Sequence, residues 1–306
     1  MVGVAVAVAV AVGVVVVVVV AMTHITNHTG LPLPLVAALR DDGYSRGEGV
    51  NISATGLISP PRKQYLENLY AEQLEEDAAD MAAILIGKAV HAYIAAKATG
   101  ELSDKKRLTM AVNGWVVSGQ TDHVDEGWVV DGGKIVDYKT TSVNEWKFGL
   151  KEEREQQLNI YAELLRSNGY AVAGLAATLI FKDWSATRAS YEKDYPPNSI
   201  VEVEVPLWDE EKDQAYILER VLLHQQAQEY DVQCTDEERW LRLKYAVVKG
   251  ENKRATKVFE GQEEAEEFAA ANPTYRVEVR GGEPLRCLHY CVVGKMGLCQ
   301  QYLGDQ

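Results

Sequence analysis

The stretch that decides the fold is Ser118-Gly-Gln-Thr-Asp122 followed by Lys134-Ile-Val-Asp137-Tyr-Lys139. Apolar and polar residues alternate with period two in the second segment, which predicts a strand there. Alternate residues of a strand share one face, so Asp137 and Lys139 point the same way. The strand therefore presents a carboxylate beside an ammonium. Asp122 lies on a preceding strand, which a hairpin could bring alongside.

These side chains suit the cleavage of a phosphodiester. Two carboxylates can hold Mg²⁺ or Mn²⁺, which prefer oxygen ligands, and the backbone carbonyl of Tyr138 can supply another oxygen. The metal would polarise the phosphate, while Lys139 orients the attacking water or stabilises the developing negative charge. An isolated Asp-x-Lys is common and is usually exposed charge on an edge strand, so the assignment depends on the surrounding elements.

The surrounding patterns predict an α/β domain in which strands and helices succeed each other. Helices are predicted over residues 31–41, 63–77, 80–99, 144–166 and 209–230. Strands are predicted over residues 108–113, 114–124, 126–130, 134–139, 171–183 and 200–206.

Four motifs occur in a fixed order along the chain. They are Gly87-Lys-Ala-Val-His91, Gly119-Gln-Thr-Asp122, Ile135-Val-Asp137-Tyr-Lys139-Thr and Gln157-Leu-Asn-Ile-Tyr161. Each is weak alone, but together they resemble the RecB-like branch of the PD-(D/E)XK nucleases, particularly CRISPR-associated and phage recombination exonucleases. The resemblance spans roughly residues 50–185. It implies a restriction-endonuclease-like mixed central sheet flanked by helices, with the active site at one edge.

The resemblance also implies a role for each matched position. Asp122 and Asp137 would be metal ligands, and Lys139 would be the catalytic lysine. His91 would be a further metal ligand or lie beside the metal. A lone helical histidine is more often structural, but its place in the ordered set favours a functional role.

The last motif places Gln157 and Tyr161 four residues apart, on one face of a helix. The resemblance implies that this pair orients the catalytic lysine and the DNA strand. A pair that simply faces the core is the alternative.

All four cysteines lie in the last quarter of the chain, at Cys234, Cys287, Cys291 and Cys299. Clustering at one end of an enzyme-sized chain favours a metal or iron–sulfur site over a disulfide framework. Thiolates suit a 4Fe-4S cluster or zinc, and His289 could replace one cysteine in a zinc site. Four unligated thiols are the remaining alternative.

The resemblance favours the 4Fe-4S cluster, because many relatives look to hold one with a single upstream and three C-terminal cysteines. This chain departs from that pattern in two ways. The C-terminal spacing is C-x3-C-x7-C, and the upstream cysteine follows the nuclease core instead of preceding it. Ser59-Pro60-Pro61-Arg62 stands where relatives often carry the first cysteine.

The net charge of −14 argues against a protein that coats nucleic acid through bulk electrostatics. A local basic run nevertheless extends from Arg239 to Lys257, with seven Lys or Arg and one acid, Glu251. It is either an ordinary solvated face or a surface that guides a DNA strand, with Trp240 and Tyr245 available for base stacking. The patterns predict a hairpin over 243–248 and 255–259, then a helix over 263–271 and a strand over 275–279.

The N-terminus is atypical, since residues 2–21 contain only Val, Ala and Gly. The stretch is long enough to span a bilayer as a helix, but no Lys or Arg precedes it, as a signal peptide would require. We expect an over-extended reading frame with the true start at Met22, and a genuine membrane anchor is the alternative.

The sequence thus predicts a leader over 1–21, a nuclease domain over 22–230 and a basic, cysteine-bound subdomain over 231–306. We expect a Mg²⁺- or Mn²⁺-dependent deoxyribonuclease, an exonuclease on DNA ends or single strands in recombination or repair, in the cytoplasm of a bacterial or phage-infected cell. A single-strand annealing or recombination protein is a candidate partner. The alternative is a catalytically silent nuclease-fold module that binds DNA ends or such a partner.

Overall fold

A computed structural model describes residues 24–40, 47–97, 107–124, 133–241 and 243–304. The Val/Ala leader, Met22 and the predicted strand over 126–130 lie outside the described residues. Among the helices of the described ranges, none is both long and apolar enough to cross a membrane.

The elements follow one another in the alternating order that the sequence predicts. In chain order they are β1 (His24–Thr26), α1 (Leu33–Arg40), β2 (Ile52–Ser53), α2 (Ala54–Ile58), α3 (Pro61–Leu69), β3 (Glu75–Asp77), α4 (Ala82–Ala95), β4 (Leu108–Val112), β5 (Trp115–Gly119), β6 (His123–Val124), β7 (Gly133–Thr141), α5 (Asn144–Lys147), α6 (Glu152–Ser167), β8 (Val172–Phe181), α7 (Ala186–Ala189), β9 (Ile200–Val205), α8 (Glu210–Glu229), α9 (Asp236–Arg239), β10 (Lys244–Lys249), β11 (Ala255–Phe259), α10 (Gln262–Ala270), β12 (Tyr275–Arg280), α11 (Val292–Lys295) and α12 (Gln300–Gly304).

A four-stranded mixed sheet in the order β6-β7-β8-β9 carries the motif strand. Strands β7 and β8 run parallel, with Ile135 paired to Leu175, and the outer strands run antiparallel to them. A parallel pair needs a crossover connection, which helix α6 supplies. Among the described residues, β6 pairs only with Val136 and Ile135, so the second half of β7 has β8 as its one partner strand there and its other side is available for a site.

Helix α6 is the centre of the main core. Its residues 157 to 165 are all buried, and the cluster around it joins both the four-stranded sheet and a three-stranded sheet in the order β2-β5-β4. The architecture is a mixed α/β fold of the restriction-endonuclease-like kind, as predicted.

Three predicted boundaries are wrong. The helix predicted over 144–166 is two helices, because Gly149 adopts a φ of +86°, which takes the chain out of the helical region. The strand predicted over 114–124 is divided between β5 and β6, which belong to different sheets. The helix predicted over 63–77 ends at Leu69, and residues 75–77 form β3, which pairs in parallel with β1.

The C-terminal region contains a separate three-stranded antiparallel sheet in the order β11-β10-β12, covered on one face by α10. Phe268 of the helix packs against Phe259 and stacks on Tyr275, with ring centroids 5.4 and 5.9 Å away. The predicted hairpin, helix and strand are therefore confirmed as secondary structure.

Candidate active site

The motif strand places its carboxylate and ammonium in direct contact. Lys139 Nζ lies 2.9 Å from Asp137 Oδ1 and 2.7 Å from Asp137 Oδ2. The Asp137 side chain is 4% exposed and that of Lys139 is 17% exposed, so the carboxylate is buried and the lysine keeps partial access to solvent. The period-two pattern therefore predicted the shared face correctly.

Asp122 reaches the same strand from the end of β5, just before β6. Its Oδ2 accepts a hydrogen bond from the backbone N–H of Tyr138 at 2.9 Å. From helix α4, His91 Nε2 lies 3.2 Å from Asp122 Oδ2 and 3.3 Å from the carbonyl oxygen of Tyr138. The structure thus brings a carboxylate, an imidazole and a carbonyl to one point on β7, beside the Asp137–Lys139 pair.

The electrostatics of this point favour a bound cation. Burial raises the pKa of Asp122 to about 7, and the charge of Asp137 adds to the rise, against the opposing effect of His91. Two carboxylates share a poorly solvated space, and a cation between them would relieve their repulsion. The carboxylate and carbonyl oxygens also match what Mn²⁺ or Mg²⁺ prefers, so the oxygen donors fit a divalent ion.

The residues do not yet form a closed coordination shell. Within the described ranges, no three His, Cys, Asp or Glu side chains are grouped as they would be around a metal ion. Both oxygens of Asp137 are instead hydrogen-bonded by Lys139. A cation at this point would have to share the Asp137 carboxylate with that lysine.

Gln157 and Tyr161 lie behind the site and bond to each other. Gln157 Nε2 donates to the Tyr161 hydroxyl at 2.9 Å, and the two residues are only 5% and 7% exposed. Tyr161 also packs against Gly119. Both side chains therefore pack in the core, as the alternative interpretation of this pair expects.

A supporting network at the end of β7 was missed from the sequence. Buried Glu145 accepts from the Thr141 hydroxyl at 2.6 Å and from Arg154 Nε at 3.0 Å. Burial alone would raise the pKa of Glu145, but the hydrogen bonds from Arg154 and Thr141 outweigh it and lower the pKa. The network joins the motif strand to the start of α6. The spacing of four between Thr141 and Glu145 is the one sequence signal that pointed to it.

The four cysteines form no disulfide in the described residues, and they lie near enough to influence one another electrostatically. Burial raises the pKa of Cys234 to about 12, and Glu238 and the three other cysteines add to the rise. Cys287, Cys291 and Cys299 are buried. They are neighbours, but the described residues do not include a set of three arranged as metal ligands.

Polar contacts join Cys234 to the C-terminal helix α12 and join the cysteine region to helix α3. Gln301 donates to the Cys234 carbonyl at 2.8 Å and accepts from its N–H at 2.9 Å. Arg62, which is 5% exposed, donates from Nε to Cys299 Sγ at 3.4 Å and pairs with Asp231. Arg62, the last residue of the Ser59–Arg62 segment, thus packs on a cysteine.

Trp240 does not offer a free ring for base stacking. The Arg286 guanidinium lies over it at 4.2 Å from the ring centroid, and Tyr290 packs against it edge-on at 5.2 Å. Arg286 also pairs with Glu153 at the start of α6. The tryptophan therefore helps to join the cysteine region to α6, and Arg286 already lies over the ring that was expected to stack on bases.

A family model of the PD-(D/E)XK nuclease superfamily matches residues 62–291. The match covers well over half of the chain and includes every candidate residue of the active site. No curated protein matches the sequence. Members of this superfamily typically use Mg²⁺ or Mn²⁺, in keeping with the oxygen-rich donor set around Asp122. The chain belongs to the PD-(D/E)XK nuclease superfamily.

Proposed function

We propose that the protein is a metal-dependent DNA nuclease of the RecB-like branch, and an exonuclease that acts on DNA ends or single strands in recombination or repair. The observation that carries the proposal is the meeting of Asp122, His91 and the Tyr138 carbonyl beside the Asp137–Lys139 pair. Asp122, Asp137, His91 and the Tyr138 carbonyl would hold Mg²⁺ or Mn²⁺.

A divalent cation bound there would supply positive charge to the scissile phosphate and acidify an attacking water. The chain's own groups do the positioning. Asp137 holds the partly exposed Lys139 ammonium in place, so that it can stabilise negative charge that develops on the phosphate. The Tyr138 N–H donates to one oxygen of Asp122 and fixes the orientation in which this carboxylate would bind the cation. Glu145 and Arg154 keep the end of β7 in place.

The C-terminal sheet is the proposed guide for the DNA strand. Exposed cations lie on its strands and on the turn between β10 and β11, whereas α10 carries exposed acids. The strand and turn cations are Lys244, Lys249, Lys253, Arg254, Lys257 and Arg276, and the helix acids are Glu263, Glu264, Glu266 and Glu267. Glu251 and Glu278 also lie among the cations, and Glu278 pairs with Arg276 and Arg280. The excess of cations on the strands and the turn gives an acidic protein a basic region for contact with the DNA backbone.

Linear and circular single strands separate the proposed exonuclease from the alternatives. With Mn²⁺ and not with EDTA, we expect nucleotides to be released from end-labelled linear DNA, while a covalently closed circle of the same sequence stays intact. Cleavage of the circle at the same rate would make the protein an endonuclease. Stable binding of ends by folded protein without any release would establish the silent, end-binding module instead.

Replacing His91 tests its proposed place beside the metal. In His91→Gln we expect the Mn²⁺ concentration for half-maximal cutting to rise at least about tenfold, because one donor is lost from the set. His28→Gln changes an exposed histidine outside the candidate site and serves as the control. We expect it to keep the wild-type Mn²⁺ requirement. An unchanged Mn²⁺ requirement in His91→Gln would make this histidine structural.

We also propose that the four cysteines hold a 4Fe-4S cluster, with zinc as the alternative. Their mutual proximity and the Arg62 guanidinium beside Cys299 suit thiolate ligands, whose negative charge needs a counter-charge. Bound there, the group would fasten the tail onto α3, and its binding energy would become folding energy.

Metal analysis of anaerobically purified protein determines which metal, if any, the four cysteines bind. We expect iron with acid-labile sulfide in the wild type, and a loss of both together with a lower melting temperature in Cys291→Ser. His289→Ala should leave the iron content unchanged, whereas loss of zinc in that variant would point to a zinc site of three cysteines and a histidine. Wild-type protein that contains neither metal would leave the thiols unligated.

A further inference from the structure

Two buried carboxyl groups lie near each other where helix α6 packs against helix α8. Glu163 and Asp213 are 5% and 1% exposed. Glu163 Oε1 accepts from Gln214 Nε2 at 3.0 Å and from the Ser167 hydroxyl at 3.4 Å. Asp213 Oδ2 pairs with the Arg166 guanidinium. One oxygen of each carboxyl group is thus satisfied.

The other two oxygens have no partner among the described residues. Glu163 Oε2 and Asp213 Oδ1 are both closed to solvent and accept no hydrogen bond. An unpaired buried carboxylate oxygen carries a large desolvation cost. Because native structures seldom leave such atoms unpaired, each of these two oxygens calls for a hydrogen-bond donor or a proton.

The charges around Glu163 and Asp213 do not balance. Two carboxylates face one guanidinium, and burial raises the pKa of Asp213 to about 7 against the opposing effect of Arg166. The negative charges of Glu163 and Asp209 add to that rise. The other groups around the pair, Ser167, Gln214 and Met110, are neutral.

We propose that Glu163 and Asp213 form a proton-binding site, in which one proton is shared between Oε2 and Oδ1. A proton shared in this way would pair both oxygens at once and leave one negative charge for Arg166. A cleft of about 330 Å³ opens beside Glu163, lined largely by apolar side chains. Since Oε2 itself is closed to solvent, a hydrated metal ion or an ammonium group cannot reach it from the cleft without displacing the helices.

The site makes the contact between α6 and α8 depend on pH. An unfolded aspartate has a pKa of about 3.9, so between about pH 4 and 7 the folded protein holds a proton that the unfolded chain has released. The folded state then binds more protons, and stability falls as the pH rises through that window. One proton changes the unfolding equilibrium by up to about tenfold per pH unit. Helix α6 also carries Gln157 and Tyr161, so the same proton steadies the helix behind the active site.

Unfolding by urea between pH 5.5 and 8.5 tests the site. The measurements use an Asp122→Asn background, which removes another carboxyl group whose pKa is raised to about 7. We expect the parent to lose stability as the pH rises and Glu163→Gln to lose much less, because its amide N–H can replace the proton. Glu219→Gln, with the same change of charge at an exposed position, keeps the parent's slope.

An infrared measurement on folded protein gives a second readout that does not depend on the variants' stability. We expect a protonated carboxyl band at pH 6 in the Asp122→Asn background that disappears by pH 8.5. Equal pH slopes for Glu163→Gln and Glu219→Gln, or no such band, would overturn the proposal. So would a bound Na⁺ or Ca²⁺ that stabilises the parent and not Glu163→Gln. None of these outcomes bears on nuclease activity, so the proposed function is tested separately.

Discussion

Asp137→Asn is expected to fold like the wild type and to lose at least about 10³-fold of the cutting rate. The amide keeps the shape of the side chain and one acceptor oxygen for Lys139 Nζ. In the wild type, Lys139 Nζ lies within 2.9 Å of both carboxylate oxygens. It loses the charge that would hold the cation and fix the ammonium. Cutting of end-labelled DNA in Mn²⁺, beside circular dichroism and a melting curve, measures both effects.

Asp194→Asn is the matched control for that variant, since Asp194 is exposed. It makes the same chemical change outside the site and should cut at the wild-type rate. If Asp137→Asn cut within a few-fold of that control, the assigned centre would be wrong. If it failed to fold, Lys139→Met would carry the test, because the side chain of Lys139 is the more exposed of the pair.

Gly119→Ala is expected to destabilise the protein and to impair cutting together. A Cβ there would lie 2.6 Å from Leu164 Cδ1 and 2.8 Å from Tyr161 Cε1. Both neighbours are buried in the main core. Overpacking costs about 1–3 kcal/mol, and we expect the upper part of that range because neither side chain has room to move. Displacing Tyr161 also shifts its hydrogen bond with Gln157 behind the site.

Gly174→Ala provides the comparison. A Cβ at Gly174 would meet only Lys134 Cγ at 3.8 Å, an ordinary contact. Urea unfolding should show a loss for Gly119→Ala and little change for Gly174→Ala. Equal stabilities for the two variants would mean that β5 and α6 can separate without cost, and the close packing would then not explain the glycine in this motif.

The motif strand could be predicted from sequence because both its period and its chemistry are local. Alternation alone placed Asp137 and Lys139 on one face. The break between β5 and β6 was not predictable, since it depends on Gly119 packing against Tyr161 and Leu164 on a distant helix. Gly149 is a sequence signal for a break between α5 and α6. The sequence alone does not predict that this glycine adopts a positive φ in the folded protein.

Contacts between distant segments could not be predicted from the sequence. Trp240 looked like a stacking ring because it lies in a basic run, and only the fold brings Arg286 and Tyr290 onto it. Arg62 gave no sign that it would be buried against Cys299. Glu163 and Asp213 are ordinary helical acids in sequence, 50 positions apart, and their shared burial follows from the packing of α6 on α8.

The central claim is that Asp122, Asp137 and Lys139 form a metal-dependent phosphodiesterase centre. Its most direct test is nucleotide release from end-labelled single-stranded DNA by the wild type and Lys139→Met, each with Mn²⁺ or EDTA. The account predicts release by the wild type in Mn²⁺ alone and a rate near background for Lys139→Met. Equal release by the two proteins, or release that persists in EDTA, would contradict it.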